Sequence, residues 1–200
     1  MAQTPGTGRP DTGRTSTQSD FRLAVADSSV VMLGIAVLGL GLGIILNAHG
    51  LPIWTAPLLS ALVFAGSVEF LMVGMVSAGT PLASITLTVF LVNARHLVYG
   101  LSYPLHSVKG FWAKALAIHT LCDEAFALNS GPDRHERSGA RILWVNVLIY
   151  VSWILSVILG YVLGASFLSS LKGVDFVMVA IFTVLAMDGY RANPDRVTAL

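Results

Sequence analysis

Six apolar stretches follow one another along this chain of 200 residues, at 29–47, 56–77, 81–103, 111–129, 142–168 and 174–187. About 20 mostly apolar residues are needed for a helix to cross the hydrocarbon core of a bilayer, and all but the last come close to or exceed that length. A chain with 54% hydrophobic and 12% charged residues and a mean hydropathy of +0.74 does not suit a water-soluble domain. The expectation is an all-α integral membrane protein with about six transmembrane helices in a lipid bilayer. The breaks between stretches carry helix-ending signals, among them Gly50-Leu51-Pro52, Gly79-Thr80-Pro81, Gly131-Pro132-Asp133 and Lys172-Gly173. Residues 1–28 open with a Gly-, Thr-, Ser- and Pro-rich segment and are expected to be a disordered tail. Residues 29–190 make the transmembrane domain and 191–200 a polar C-terminal tail. No cleavable signal is expected, because the first apolar run begins only near Ser29.

Orientation follows from Lys and Arg outside the spans, which accumulate on the cytoplasmic side. With the N-terminus inside, eight fall in inner segments and three in outer ones, so both termini are expected in the cytoplasm. A re-entrant second segment would leave five spans and a weaker bias. The net charge of +1 gives no reason to expect a nucleic-acid partner. Cys122 is the sole cysteine, so no internal disulfide forms, and its apolar setting points to a packed thiol. Gly39 with Gly43 and Gly160 with Gly164 have the four-residue spacing that lets helix backbones touch in lipid. Packing within the chain is the expected use, ahead of a subunit interface.

Of the twelve Lys and Arg, only Arg95 lies well inside an apolar run. An ionisable group at mid-membrane costs roughly 3 kcal/mol or more, so such groups usually pair or line a polar path. At about 100° per residue, Asn93, Arg95, His96, Tyr99 and Tyr103 fall on one face of the third span. Ala61, Ala65 and Glu69 follow at helical spacing in the second, a small-residue surface beside a carboxylate. Asp123 and Glu124 stand together in the fourth. Three carboxylates beside one fixed cation leave uncompensated charge unless at least one carries a proton, the property a proton relay needs. The candidate substrate-binding or coupling residues are therefore Glu69, Asn93, Arg95, His96, Tyr99, Asp123 and Glu124. A zwitterionic amino acid suits them: Arg95 offers a two-point fork to its carboxylate, and Glu69 or Asp123 an anion to its ammonium. Other readings use the same side chains. His96, His119, Asp123 and Glu69 would suit a divalent metal in an embedded enzyme or carrier, although no metalloprotease motif is present and no metal site is assigned. A purely structural ion pair would suit a non-transporting subunit.

The sequence elements Gly50-Leu51-Pro52-Ile53-Trp54, Phe64-Ala65-Gly66-Ser67-Val68-Glu69-Phe70, Ala78-Gly79-Thr80-Pro81-Leu82, Asn93-Ala94-Arg95-His96-Leu97-Val98-Tyr99-Gly100 and Asp123-Glu124-Ala125-Phe126-Ala127 occur in this order. Together they resemble the AzlC-type branched-chain amino acid permease family, from about Gly34 to Tyr190. The resemblance implies a multi-pass exporter of branched-chain or similar apolar amino acids in the bacterial cytoplasmic membrane. It implies no enzyme activity and no cofactor, but a small AzlD-type membrane subunit as partner. Proton coupling is the expectation that the carboxylates add. Family members continue with a further pair of apolar segments beyond the region matching 174–187, so the resemblance implies a member lacking its last helices.

Overall fold

The computed structural model describes residues 12–131, 137–168 and Thr183. Within them the chain is helical and no strand occurs. The elements are α1 (Thr12–Ala48), α2 (Thr55–Leu62), α3 (Gly66–Ser77), α4 (Leu82–Asn93), α5 (Arg95–Ser102), a 3₁₀ turn at Leu105–Ser107, α6 (Phe111–His119), α7 (Asp123–Asn129) and α8 (Gly139–Leu163), which ends in a π turn at Gly164–Leu168. Among the described residues three stretches are long and apolar enough to cross a bilayer: Gln18–Ala48, Leu82–Gly100 and Gly139–Ser166. The second expected span is two helices, α2 and α3, and the fourth is likewise two, α6 and α7. The expected sixth span and the C-terminal tail lie outside the described residues, apart from Thr183.

The chain divides into two compact units, one from residues 1–30 and 102–148, the other from 31–101 and 149–200. In the first, α1 begins well before the apolar run at Ser29, so the segment expected to be a disordered tail is helical from Thr12. Tertiary contacts account for the ordered part. The Phe21 and Trp144 rings meet edge-on with centroids 5.0 Å apart, and Ala24 is fully buried. Arg141 grips Asp27 with two donors, Nε to Oδ2 and Nη2 to Oδ1, both at 2.8 Å, while Arg137 Nη1 adds a third at 3.0 Å. Such forked pairs are the strong form of an ion pair. Solvent still reaches about a fifth of the Asp27 and Arg141 side chains, which weakens the attraction. Asp27→Asn is therefore expected to lower stability by about 1–2 kcal/mol, between the values for exposed and buried pairs. Unfolding of detergent-solubilised protein at low and high salt checks this, and the deficit should shrink as salt screens the wild-type pair.

In the second unit the core is the crossing of α1 with α8. A Cβ on Gly43 would meet the backbone of Val157, Gly160 and Tyr161, and one on Gly160 would meet the backbone of Leu40. Gly39 faces Ser156 and Gly164 faces Ile44 and Asn47 in the same way. Both glycine pairs thus serve one contact within the chain. Leu42, Ile45 and Leu46 of α1 and Ile149 and Val157 of α8 are buried. At the end of α1, Tyr161 donates its hydroxyl to the Leu51 carbonyl at 2.7 Å.

Candidate functional site

The break between α2 and α3 lies in the second unit. In an unbroken helix the Ala65 N–H would bond the Ala61 carbonyl. Here Ala65 donates instead to Glu69 Oε1 at 3.0 Å, and the Ala61 carbonyl accepts the Tyr150 hydroxyl at 2.9 Å. Two side chains thus satisfy two of the backbone groups that the break releases, without which it would be costlier in lipid. The chain turns at Phe64, whose φ of 42° is rare for a residue with a bulky side chain. Its ring sits edge-on to Tyr150 with centroids 4.9 Å apart. The expected small-residue face through Ala61, Ala65 and Glu69 is consequently interrupted. What meets the carboxylate is Trp153, whose indole N–H lies 3.1 Å from Oε1 and 3.3 Å from Oε2. Glu69 is wholly buried.

One turn of helix ties the cation to this break. Arg95, at the start of α5, donates from Nη2 to the Ser67 hydroxyl at 3.2 Å. Ser67 lies two residues before Glu69 in the first turn of α3. Three further candidates lie beside Arg95: the His96 and Tyr99 rings meet edge-on at 5.4 Å, and His96 Nδ1 lies 3.2 Å from the Asn93 carbonyl oxygen. The Asn93 side-chain oxygen is buried and has no hydrogen-bond partner among the described residues. Two cavities flank the break and share Val63 and Met72 as walls. One, of 260 Å³, is lined by apolar residues of α2, α3 and the end of α1, with Thr55 as its polar member. The other, of 560 Å³, is bounded by α3, α4 and α5 and reaches Asn93 and His96.

Asp123 and Glu124 belong to the first unit, half-buried in the first turn of α7. The α6–α7 break is built like the other one. Leu121 N–H turns back to the Ile118 carbonyl, and the Ala117 carbonyl, its partner in a continuous helix, accepts Asn146 Nδ2 at 3.0 Å. Asn146 Oδ1 in turn receives the Tyr103 hydroxyl at 2.9 Å and Asn129 Nδ2 at 3.0 Å. All three side chains are buried. Sequence reasoning placed Tyr103 on a polar face but missed Asn129, Asn146, Tyr150, Ser67 and the role of Trp153. The available signal was Asn146, Tyr150 and Trp153 deep in one apolar span, since a buried polar tip requires a partner. Among the described residues no group of three or more His, Cys, Asp or Glu is placed to hold a metal ion.

The AzlC protein family profile matches residues 30–167. A membrane protein of Helicobacter pylori strain J99, described as uncharacterized, is 29% identical over 181 residues, covering 90% of this chain and 79% of that one. An uncharacterized membrane protein of Haemophilus influenzae is 32% identical over 179 residues, 86% of this chain and 72% of its own length. The branched-chain amino acid transport protein AzlC of Bacillus subtilis is 30% identical over 184 residues, 90% of this chain and 72% of its own length. No solved structure matches. A family match over most of the length, on a helical membrane chain carrying these broken helices, has one meaning: this chain belongs to the AzlC family.

Proposed function

We propose that this chain is a secondary transporter that exports branched-chain or similar apolar amino acids across the cytoplasmic membrane, driven by protons and working with a small AzlD-type subunit. The observation that carries the reading is the first turn of α3, where a helix broken inside an apolar stretch holds Arg95 through Ser67 and Glu69 through Ala65 and Trp153. Discontinuous helices of this kind form substrate sites in many transporters, because the break frees polar groups at membrane depth. Arg95 takes the substrate carboxylate. Glu69, Asp123 and Glu124 supply the groups from which one proton carrier is drawn, each in the first turn after a break. The name of the Bacillus subtilis relative supports the substrate class. A place for the small subunit is offered by Leu82–Gly100, of which only 6% is buried within the chain against 39% for the other two candidate spans.

Efflux of labelled leucine from reconstituted vesicles, with and without the small subunit and with and without a pH gradient, tests this reading. Gradient-dependent efflux is expected from the wild type. Among Glu69→Gln, Asp123→Asn and Glu124→Gln, one variant should lose at least about tenfold of the gradient-driven flux, the scale of one lost charge-assisted contact, and keep leucine–leucine exchange, which need not move a proton. Flux that ignores the gradient in the wild type removes proton coupling. Absence of flux for every amino acid removes the transporter reading itself.

A further inference from the structure

We infer that the 560 Å³ cavity between α3, α4 and α5 is the seat of the substrate's side chain and ammonium group, with Asn93 and His96 receiving the ammonium and Met72, Ile85 and Val89 setting which side chains fit. This rests on the transporter reading above and specifies its site. The cavity is lined chiefly by apolar side chains and has its polar groups gathered at one end, the make-up of a pocket for a small amphiphilic ligand. Its hydroxyl at Thr86 is turned back onto the Leu82 carbonyl at 2.9 Å and adds no demand of its own. The Asn93 side-chain oxygen, in contrast, is buried without a donor among the described residues. An amide oxygen left so in hydrocarbon costs several kcal/mol, which lipid tails filling the groove cannot repay and a ligand N–H can.

The neighbouring histidine points to the same chemistry. His96 lines the same end of the cavity, with Nδ1 3.2 Å from the Asn93 carbonyl oxygen, and the tautomer that donates from Nδ1 offers Nε2 as an acceptor. Two acceptors suit an ammonium group, while Arg95, between them in sequence, suits the carboxylate. Glu69 does not serve the ammonium in this arrangement, since it is wholly buried and does not line the cavity. The size of the cavity fits as well. At about 30 Å³ per water-sized group, 560 Å³ accepts roughly twice the non-hydrogen atoms of leucine, so leucine and larger apolar amino acids enter and the wall contacts set their relative affinities. The smaller, 260 Å³ cavity lacks a comparable polar end, because its Thr55 hydroxyl is spent on the Pro52 carbonyl.

Binding of radiolabelled leucine to the full chain in lipid nanodiscs, competed by unlabelled glycine, alanine, valine, leucine and phenylalanine, tests the assignment. Val89→Phe narrows the cavity and is expected to weaken leucine by roughly 10-fold or more relative to alanine, since pocket methylenes discriminate on that scale. Met72→Ala widens it and is expected to improve phenylalanine relative to leucine. Asn93→Leu should weaken all five together and leave their order intact, as loss of an ammonium contact requires. An unchanged order in both size variants of a protein that still binds leucine overturns the pocket and leaves the transporter reading standing. A wild-type chain that binds none of the five overturns both.

Discussion

Gly43→Ala is expected to destabilise the folded chain by about 3 kcal/mol, the upper part of the range for overpacking, and to cut the yield of monodisperse protein. The added methyl meets the α8 backbone at three residues, Val157, Gly160 and Tyr161, and backbone cannot rotate away as a side chain would. The only relief is to move α1 and α8 apart. In lipid that relief is expensive in a particular way, because no hydrophobic force holds the helices together and their association rests on the close contact being lost. Gly160→Ala should behave alike, its methyl meeting the backbone of Leu40. The double variant should cost less than the sum of the two, since one separation relieves both. Gly34→Ala is the control of opposite sign. It lies on α1 with nothing within 4 Å of its added methyl, so it should gain up to about 1 kcal/mol from helix propensity. Thermal unfolding in detergent compares the four variants. A Gly43→Ala protein as stable as wild type would mean that the crossing is not where the stability lies.

These glycines illustrate what the sequence made legible. Their spacing marks helices that approach closely, and apolar length alone marks the long parts of α1 and α8, because both signals are local properties of one helix. The breaks at 63–65 and 120–122 were not legible for the converse reason. Nothing in Leu62-Val63-Phe64-Ala65 or Ile118-His119-Thr120-Leu121 forbids a helix; each break is stabilised by donors that arrive from α8, Tyr150 on the Ala61 carbonyl and Asn146 on the Ala117 carbonyl. A residue more than 28 positions away decides the local conformation. The site is split in the same manner. Arg95 and Glu69 stand out because charge in an apolar run is conspicuous. Ser67, which holds the arginine, and Trp153, which holds the carboxylate, are chemically ordinary and become meaningful only through contacts. The helical stretch just before Ser29 belongs to this class too, since polar Asp27 is held by two arginines far along the chain.

Arg95→Lys is expected to lower leucine flux by at least about tenfold while the protein remains inserted and folded. Removing one charge-assisted hydrogen bond costs roughly 1.5–3 kcal/mol, which is about 10- to 100-fold in affinity. The guanidinium is planar and carries its donors in a fixed fork, so one edge can rest on the Ser67 hydroxyl, as it does at 3.2 Å, while others meet both oxygens of a carboxylate. A lysine ammonium is a single point on a flexible stem and satisfies one of these demands at a time. The loss should therefore appear mainly as a raised half-saturating leucine concentration, and Ser67→Ala, which removes one hydrogen bond that holds the fork, should reproduce a smaller, few-fold part of it. The charge is retained in the lysine variant, so a helix-holding ion pair would survive the change with stability and flux nearly intact. Normal flux in Arg95→Lys would thus overturn the carboxylate clamp and favour a structural arginine, whereas lost flux with unchanged thermal stability assigns the fork to the substrate.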